Sequence, residues 1–296
     1  TAATAVIDAG AGLGHPTAYR AMKLAIEKAH EVGAGFVAVR NSNHFGIAGY
    51  YAMMALEQGC AGLCMTNSHS LVVPTFGRDA MLGTNPIAVA VPAGRERPFV
   101  LDMATSIVPL GKLEIHDRLD QPIPESWATD AKGVPTDRPG VVLENFDSLA
   151  GGGLLPLGGA GEESGGHKGY GLSLWVEIFS ALFAGAMYAD LVYPTTAEGD
   201  KLPSQIGHFF GAWRVDAFRP MDSFGLAMDD LLQRIKESRK AEGQTRVYVA
   251  GEKEQEEAER RAREGIPLTP AVVADLQTLV SELGVSLDLE AGPGNR

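Results

Sequence analysis

The sequence predicts an α+β fold with a largely antiparallel or mixed sheet and a separate helical domain. Helical and strand patterns alternate in the first third of the chain, two strand patterns lie close together in the middle, and helical patterns fill the last third. This order argues against a regular parallel sheet, in which helix and strand would alternate throughout. We expect a central α+β region over residues 1–215 and a mainly helical region over residues 216–296.

The first third of the chain supplies the alternating elements. Apolar residues at helical spacing predict a helix over 17–32, which Gly33 can end. Short apolar runs predict strands at 36–39 and 63–66, and a further helix follows Gly46 between them.

The middle of the chain has a different character. Strand patterns at 87–91 and 99–101 flank a turn-like segment, so we expect them to form an antiparallel pair. Residues 117–163 are rich in Pro, Gly and Asp, and we expect them to be mostly loop.

The remaining third is mostly helical. An apolar helix is expected over 169–185, followed by a strand over 209–215 in which Gly211 is a candidate bulge. The other expected helices cover residues 222–238, 252–264 and 269–283.

Composition and charge exclude several classes of protein. The chain has 296 residues, 45% of them hydrophobic and 21% charged, which is typical of a globular protein rather than a disordered one. With 25 basic and 37 acidic side chains the formal net charge is −12, which disfavours nucleic acid or an anionic membrane as a partner. No uncharged apolar run reaches the roughly 18 residues of a membrane-spanning helix.

The cysteines indicate a reducing environment. Cys60 and Cys64 are the only two and stand in C-x-x-x-C spacing, whereas redox and zinc pairs usually use C-x-x-C. No second pair is spaced to complete a metal site. We expect buried thiols, no metal and a cytoplasmic location.

Two glycine-rich segments are similar to phosphate-binding loops without matching them. Gly10–Gly14 lacks the third glycine of the Rossmann fingerprint, since His15 stands there. In the second segment His167 separates Gly166 from Lys168, which breaks the Walker pattern. That segment is either a surface loop or a loop that holds a phosphate at a helix start.

Two polar side chains at strand ends are candidates for chemistry. His44 lies in a polar turn between a strand and a helix, where it can exchange a proton near neutral pH or simply cap and pack. Asp102 follows a strand and either caps the next helix or binds a ligand hydroxyl. His208, beside a strand, is expected to be structural or solvated.

Five segments in order resemble the second type of the malate/L-lactate dehydrogenase family. That family includes ureidoglycolate and sulfolactate dehydrogenases and cyclic-imine reductases. The resemblance extends from about Val6 to Pro267. The segments that carry it are Asn41-Ser42-Asn43-His44-Phe45-Gly46, Gly83-Thr84-Asn85-Pro86, Asp102-Met103-Ala104-Thr105-Ser106, Leu154-Leu155-Pro156-Leu157-Gly158-Gly159 and Gly165-Gly166-His167-Lys168-Gly169-Tyr170-Gly171.

The resemblance implies a site and a fold. It implies a homodimer that binds NAD or NADP on a fold unrelated to Rossmann, with the site near the subunit interface. His44 matches the catalytic acid/base, and Lys112 matches a position that is Lys in hydroxyacid dehydrogenases and can be Asp in imine reductases. The implied cofactor contacts are Ser68, Asp102, Met103, Ala104, Gly158, His167, Lys168, Gly251 and Glu252.

The sequence departs from the family pattern in two places. Ala160 to Ser164 interrupt the usual short path between the fourth and fifth segments. The family also begins several tens of residues earlier, with a helical segment carrying Ser-His-Gly and an Arg that bind substrate. We expect that segment, absent here, to pack with the C-terminal helical region, so that Thr1 is an interior residue of the family pattern.

These observations lead to one expected function and three alternatives. We expect an NAD-dependent enzyme, with NADP possible as the cofactor, that reversibly transfers hydride between a 2-hydroxy acid such as malate or lactate and its 2-oxo acid. The alternatives are an NADPH-dependent cyclic-imine reductase, a catalytically silent nucleotide-binding protein, and a zinc hydrolase built on His44 and His69.

Overall fold

The computed structural model describes residues 1–196 and 198–287. They form two compact units, one over Thr1–Ala250 and one from Gly251 onward. The second unit begins at Gly251, whereas the sequence analysis expects the helical region to begin at residue 216. A helix over Met221–Glu237 belongs to the first unit, and one reason is that its Asp229 accepts the backbone N–H groups of a turn at residues 94–96.

The first unit is built on a mixed, mostly antiparallel sheet. The described residues contain eight strands: β1 (Thr4–Asp8), β2 (Ala34–Ser42), β3 (Cys60–Thr66), β4 (Ile87–Val91), β5 (Phe99–Met103), β6 (Ala128–Thr129), β7 (Gly153–Leu154) and β8 (Ile206–Arg214). Six of them form one sheet in the order β1-β2-β8-β3-β4-β5, and β6 and β7 form a separate pair. Only β1 and β2 run parallel within the large sheet. This confirms the predicted sheet type.

The longer helices surround the sheet or lie in the connections. In the described part of the chain they are α1 (Gly14–Val32), α2 (Ala48–Met54), α3 (Leu110–Arg118), α4 (Pro139–Ser148), α5 (Gly166–Glu177), α6 (Met221–Glu237), α7 (Glu252–Glu264) and α8 (Pro270–Leu283). The second unit, over residues 251–287, consists of α7 and α8. No helix within residues 1–196 and 198–287 has both the length and the apolar character that a membrane crossing requires.

The sheet is covered on both faces. On one face α1 and α2 pack small side chains such as Ala25 and Ala52 into a core that also holds Val37 and Phe210. On the other face the end of α5 continues as a π-helical turn over Ile178–Leu182, where Phe179 packs edge-on against Phe209 of β8. The strand ends between these layers are left to carry the loops described below.

The two cysteines lie in the first of these cores. Cys60 and Cys64 are fully buried in β3 and are free thiols, as predicted. Burial raises the pKa of the Cys64 thiol well above its ordinary value, because the buried thiolate would lose its hydration. Both side chains therefore act as small hydrophobic residues.

Several predicted boundaries change in the structure. The helix expected from residue 169 begins at Gly166, so His167 and Lys168 stand in its first turn. Residues 139–148, expected to be loop, form α4, which begins with Pro139 at its first position and buries Val142. A proline is tolerated there because that N–H has no partner within a helix.

The predicted bulge is in the wrong strand. Gly211 pairs regularly with Phe36 on one side and Leu63 on the other. The irregularity lies instead in β2, between Val39 and Ser42, just before the polar turn that carries His44.

Candidate active site

His44 lies in the exposed turn that leaves β2. Just before the turn, Asn41 has a left-handed φ of 51°, which redirects the chain as the ladder breaks. The Gly46 N–H donates to His44 Nδ1 over 3.2 Å. In a neutral ring this bond leaves the ring proton on Nε2, so a proton accepted by the ring enters at Nδ1.

The glycine turn at residues 10–14 supports this loop. The Asn43 Nδ2 donates to Ala11 O and Gly12 O, each at 2.9 Å. A Cβ on Gly14 would lie 2.1 Å from Asn43 O, so only glycine permits this approach. The segment that resembles a phosphate-binding turn is therefore packed against the loop of His44.

Asp102 links the end of β5 to the same loop. Its Oδ2 accepts the Gly49 N–H at 2.7 Å, in the first turn of α2. A carboxylate is stabilised at a helix N-terminus, where N–H groups and the helix dipole both favour negative charge. Of the two roles left open by the sequence, capping is observed, but the capped helix precedes Asp102 in the chain.

The predicted cofactor segments around Ser68 and Asp102 are connected by hydrogen bonds through Thr84. Ser68 Oγ accepts the Thr84 N–H at 3.2 Å. The Thr105 N–H in turn donates to Thr84 O at 2.9 Å. Met103 and Ala104 lie in the short stretch between Asp102 and Thr105, so they belong to the same cluster of loops.

The Gly-rich segments join this cluster at the start of α5. The Leu157 N–H donates to Thr105 O at 2.8 Å. Gly158, with a φ of 95°, lies so close to the α5 start that a Cβ would be 2.5 Å from the Gly165 carbonyl carbon. His167 and Lys168 are exposed in the following turn.

One backbone donor of that turn is already used. The His167 N–H donates to Gly161 O at 3.3 Å, so the inserted residues fold back onto the helix start. An anion at this point would therefore rely more on the Lys168 side chain than on this N–H group.

Lys112 lies outside these loops, on α3. Its Nζ stands 5.3 Å from the centroid of the Trp127 ring, within the range of a cation–π contact. The Trp127 carbonyl accepts the Leu155 N–H at 2.9 Å, which connects this pair to the segment that precedes Gly158.

Gly251 and Glu252 belong to the second unit. Gly251 precedes α7 with a φ of 92°, and Glu252 is the first residue of that helix. Their contact with a cofactor stays a prediction.

A buried carboxylate beneath the site was missed by the sequence analysis. Glu177 is 6% exposed, and its oxygens accept from Asn67 Nδ2 at 3.0 Å, Asn85 Nδ2 at 2.7 Å and the Ala189 N–H at 2.9 Å. A buried charge needs such donors. Asn67 and Asn85 adjoin Ser68 and Thr84, so the hydrogen bonds of Glu177 support the proposed cofactor segments from the buried side. The sequence signal that could have revealed this buried side chain was its position as a single acidic residue within the apolar run from Leu172 to Leu182.

His208 lies within β8 and is fully buried, so it is structural rather than solvated. Loss of hydration, with a smaller contribution from the positive charge that neighbouring His44 can carry, lowers the pKa of its ring from 6.5 to about 3. The folded protein therefore holds His208 neutral.

This neutral ring predicts loss of stability in acid. The unfolded ring takes up a proton below about pH 6.5 and the folded ring only near pH 3, so the free energy of unfolding falls as pH decreases between them. The slope for one group is at most about 1.4 kcal/mol per pH unit. Urea unfolding at about pH 7.5 and about pH 5 should show a smaller pH loss for His208→Gln than for the wild type. Equal losses in the two proteins would contradict the assignment.

Comparison with known proteins gives consistent matches. Residues 1–277 match the family described as malate/L-lactate dehydrogenase. A malate dehydrogenase from Pyrococcus abyssi is 47% identical over 281 residues, covering 95% of this chain and 75% of that protein. An L-sulfolactate dehydrogenase from Methanocaldococcus jannaschii is 38% identical, covering 97% and 77%.

Solved structures agree with these matches. The crystal structure of a malate dehydrogenase from Entamoeba histolytica superposes with a TM-score of 0.91 at 39% identity, covering 98% of this chain and 79% of that one. The chain therefore shares its overall architecture with this structural neighbour.

Proposed function

The chain belongs to the malate/L-lactate dehydrogenase family, and we propose that its substrate pair is malate and oxaloacetate, its cofactor NAD and its acid/base His44. It is an oxidoreductase that interconverts a 2-hydroxy acid and its 2-oxo acid. The observation that carries the proposal is a series of contacts between the loops: Asp102 accepts the Gly49 N–H just after the His44 turn, Thr105 accepts the Leu157 N–H, and Gly158 packs closely against the start of α5.

The residues along these loops fit a dinucleotide. A Cβ on Gly83 would lie 2.3 Å from Ser68 Oγ, so only glycine permits the close approach of the backbone to that hydroxyl. In the described part of the chain, Asn85 Oδ1 is buried without a hydrogen-bond partner next to Gly83. Lys168 supplies positive charge in the first turn of α5. We propose that Ser68, Asp102, Met103, Ala104, Gly158, His167 and Lys168 hold the cofactor, while the same role for Gly251 and Glu252 stays a prediction from the family resemblance.

The glycine turn before α1 supports a nicotinamide site that is not of the Rossmann type. In a Rossmann fold the pyrophosphate approaches the first glycine turn and the following helix start. Here Asn43 occupies that approach, with its carbonyl 2.1 Å from where a Gly14 Cβ would be. We therefore place the cofactor on the loops after β3 and β5 instead.

His44 supplies the proton transfer. When bound, the nicotinamide accepts or returns the hydride. In oxidation, the neutral His44 ring takes the proton of the substrate hydroxyl at Nδ1, and the Gly46 N–H contact to that nitrogen gives way to it. In reduction, the protonated ring returns the proton to the oxo oxygen.

Lys112 is proposed to contact the substrate. Its ammonium group can polarise the substrate oxygen or pair with a carboxylate. The Trp127 ring beside Nζ limits the directions that the long side chain can take. A lysine at this position favours an oxygen substrate over an imine, following the family resemblance.

Parallel assays test this function. The purified chain should reduce oxaloacetate with NADH faster than it reduces pyruvate or a cyclic imine carboxylate, with NADPH run alongside. A preference for the imine would replace the proposal by an imine reductase. Quenching of Trp127, Trp175 and Trp213 by NADH without turnover of any substrate would indicate a silent nucleotide-binding protein.

We further propose a homodimer in the cytoplasm. Apolar side chains are exposed at the end of the π-helical turn that follows α5, including Leu182 at 52% and the next residue, Phe183, at 58% exposure, and such surfaces favour association. The free thiols of Cys60 and Cys64 fit a reducing compartment. Light scattering of the purified chain should give twice the mass of one chain, and a monomer would overturn the dimer.

A further inference from the structure

The central strand β8 lies between the two strands whose ends carry the His44 and Ser68 loops. Its His208 reaches both of them. The ring Nε2 lies 2.8 Å from Ser42 Oγ at the end of β2, and Nδ1 lies 2.7 Å from Thr66 Oγ1 at the end of β3. One side chain therefore connects the bases of both loops.

The direction of these bonds follows from the partners of Thr66. Its hydroxyl lies 2.8 Å from Asn67 O and 3.0 Å from Gly207 O, and a carbonyl can only accept. The single hydroxyl proton goes to one of these carbonyls, so Thr66 accepts from His208 Nδ1–H. The ring Nε2 then accepts from the Ser42 hydroxyl. Every donor among the hydrogen bonds that join Ser42, His208 and Thr66 has an acceptor. This arrangement fixes one tautomer and one orientation of the His208 ring.

The ring also holds the residue next to His44. Phe45 stacks on His208 with 4.5 Å between ring centroids and 12° between planes. The Tyr51 hydroxyl donates to Phe45 O. The backbone ladder gives less support here, because the pairing of β2 with β8 is irregular between Val39 and Ser42 and resumes only at Ser42 and Ile206.

We propose that His208 is a positioning residue that sets the separation of the His44 and Ser68 loops, and so the approach of the catalytic ring to the cofactor-bound substrate. It acts through Ser42, Thr66 and Phe45 and touches neither substrate nor cofactor. The inference rests on the proposed function of His44.

The first test compares His208→Leu with Val37→Ala. Val37 is fully buried in the same sheet, on β2, and its truncation lowers stability without touching either strand end. At saturating oxaloacetate and NADH, His208→Leu should lower kcat about tenfold or more, since small misplacements of a catalytic group are costly. Val37→Ala should keep kcat within about twofold of the wild type at a comparable loss of Tm. Equal losses of kcat in the two variants would overturn the proposal.

Partial variants separate the two bonds. His208→Asn keeps a donor near Thr66, and His208→Gln keeps an acceptor near Ser42, so both should retain more kcat than His208→Leu. Ser42→Ala should lower kcat in the wild type and have no further effect in His208→Leu. Additive losses would show that His208 and Ser42 act independently, which the proposal forbids.

Amide hydrogen exchange provides a readout that does not depend on turnover. His208→Leu should speed exchange at residues 43–46 and 67–69, whereas Val37→Ala should not. Unchanged exchange in both loops would refute the positioning role. If the wild type turns over no 2-oxo acid, the proposed function fails while this measurement still decides the role of His208. If His208→Leu does not fold, the double variant Ser42→Ala/Thr66→Val takes its place in both measurements.

Discussion

Replacing His44 by glutamine is expected to lower kcat for oxaloacetate reduction by about a hundredfold or more, because the amide cannot gain or lose a proton at working pH. Cofactor affinity should stay close to that of the wild type, since the proposed cofactor contacts lie on other loops. Steady-state rates give kcat, and quenching of tryptophan fluorescence by NADH gives the dissociation constant.

His15 offers a matched control for this experiment. Its ring is exposed and its Nε2 lies 3.1 Å from where a Cβ on Gly46 would stand, so it borders the same turn. His15→Gln should turn over at nearly the wild-type rate. A large loss in His15→Gln together with near-normal turnover in His44→Gln would transfer the acid/base role to His15.

Replacing Gly169 by alanine is expected to weaken NADH binding tenfold or more and to destabilise the fold. A Cβ at Gly169 would lie 2.1 Å from Leu157 O and 2.6 Å from Leu157 N. The loop that carries Gly158 must therefore move away from α5, and such overpacking costs about 1–3 kcal/mol. Fluorescence titration with NADH and thermal unfolding measure the two effects.

Gly171 lies two residues further along the same helix and serves as the control. A Cβ at Gly171 meets no atom within 4 Å. Gly171→Ala should leave NADH affinity unchanged and raise Tm slightly, because alanine favours a helix over glycine by about 1 kcal/mol. Similar NADH affinity in Gly169→Ala and Gly171→Ala would show that the Leu157–Gly158 loop does not hold the cofactor.

Elements with strong local signals were predictable from the sequence. The charged helix over 252–264 has the predicted bounds, since its charged composition and Gly265 define it locally. The β4–β5 pair was predicted because two short apolar strands flank a turn. In contrast, α4 was missed because Pro139 and the glycine after it resemble loop, although helix geometry tolerates proline at that position.

The exposed part of the site was predictable through motif resemblance, whereas its buried support was not. His44, Ser68 and Asp102 stand in recognisable segments, and hydrogen bonds among their loops connect those segments in the structure. The hydrogen-bond partners of His208 depend on β8 lying between β2 and β3. The periodicity of a single segment predicts a strand but does not predict the order of strands in a sheet. Glu177 likewise finds its donors on loops that are distant in sequence.

The position of β8 also determines when the site can form during synthesis. It is the last strand of the large sheet to leave the ribosome, yet it pairs with β2 on one side and β3 on the other. Until residue 214 has emerged, both of those strands lack a neighbour along one edge, and unpaired edges are prone to aggregate. Closing loops of this length makes folding slow, because the chain entropy is lost before the contacts are gained. The edges of β2 and β3 that face β8 are therefore covered only when this central strand pairs with them, and the two loops gain a common support only then.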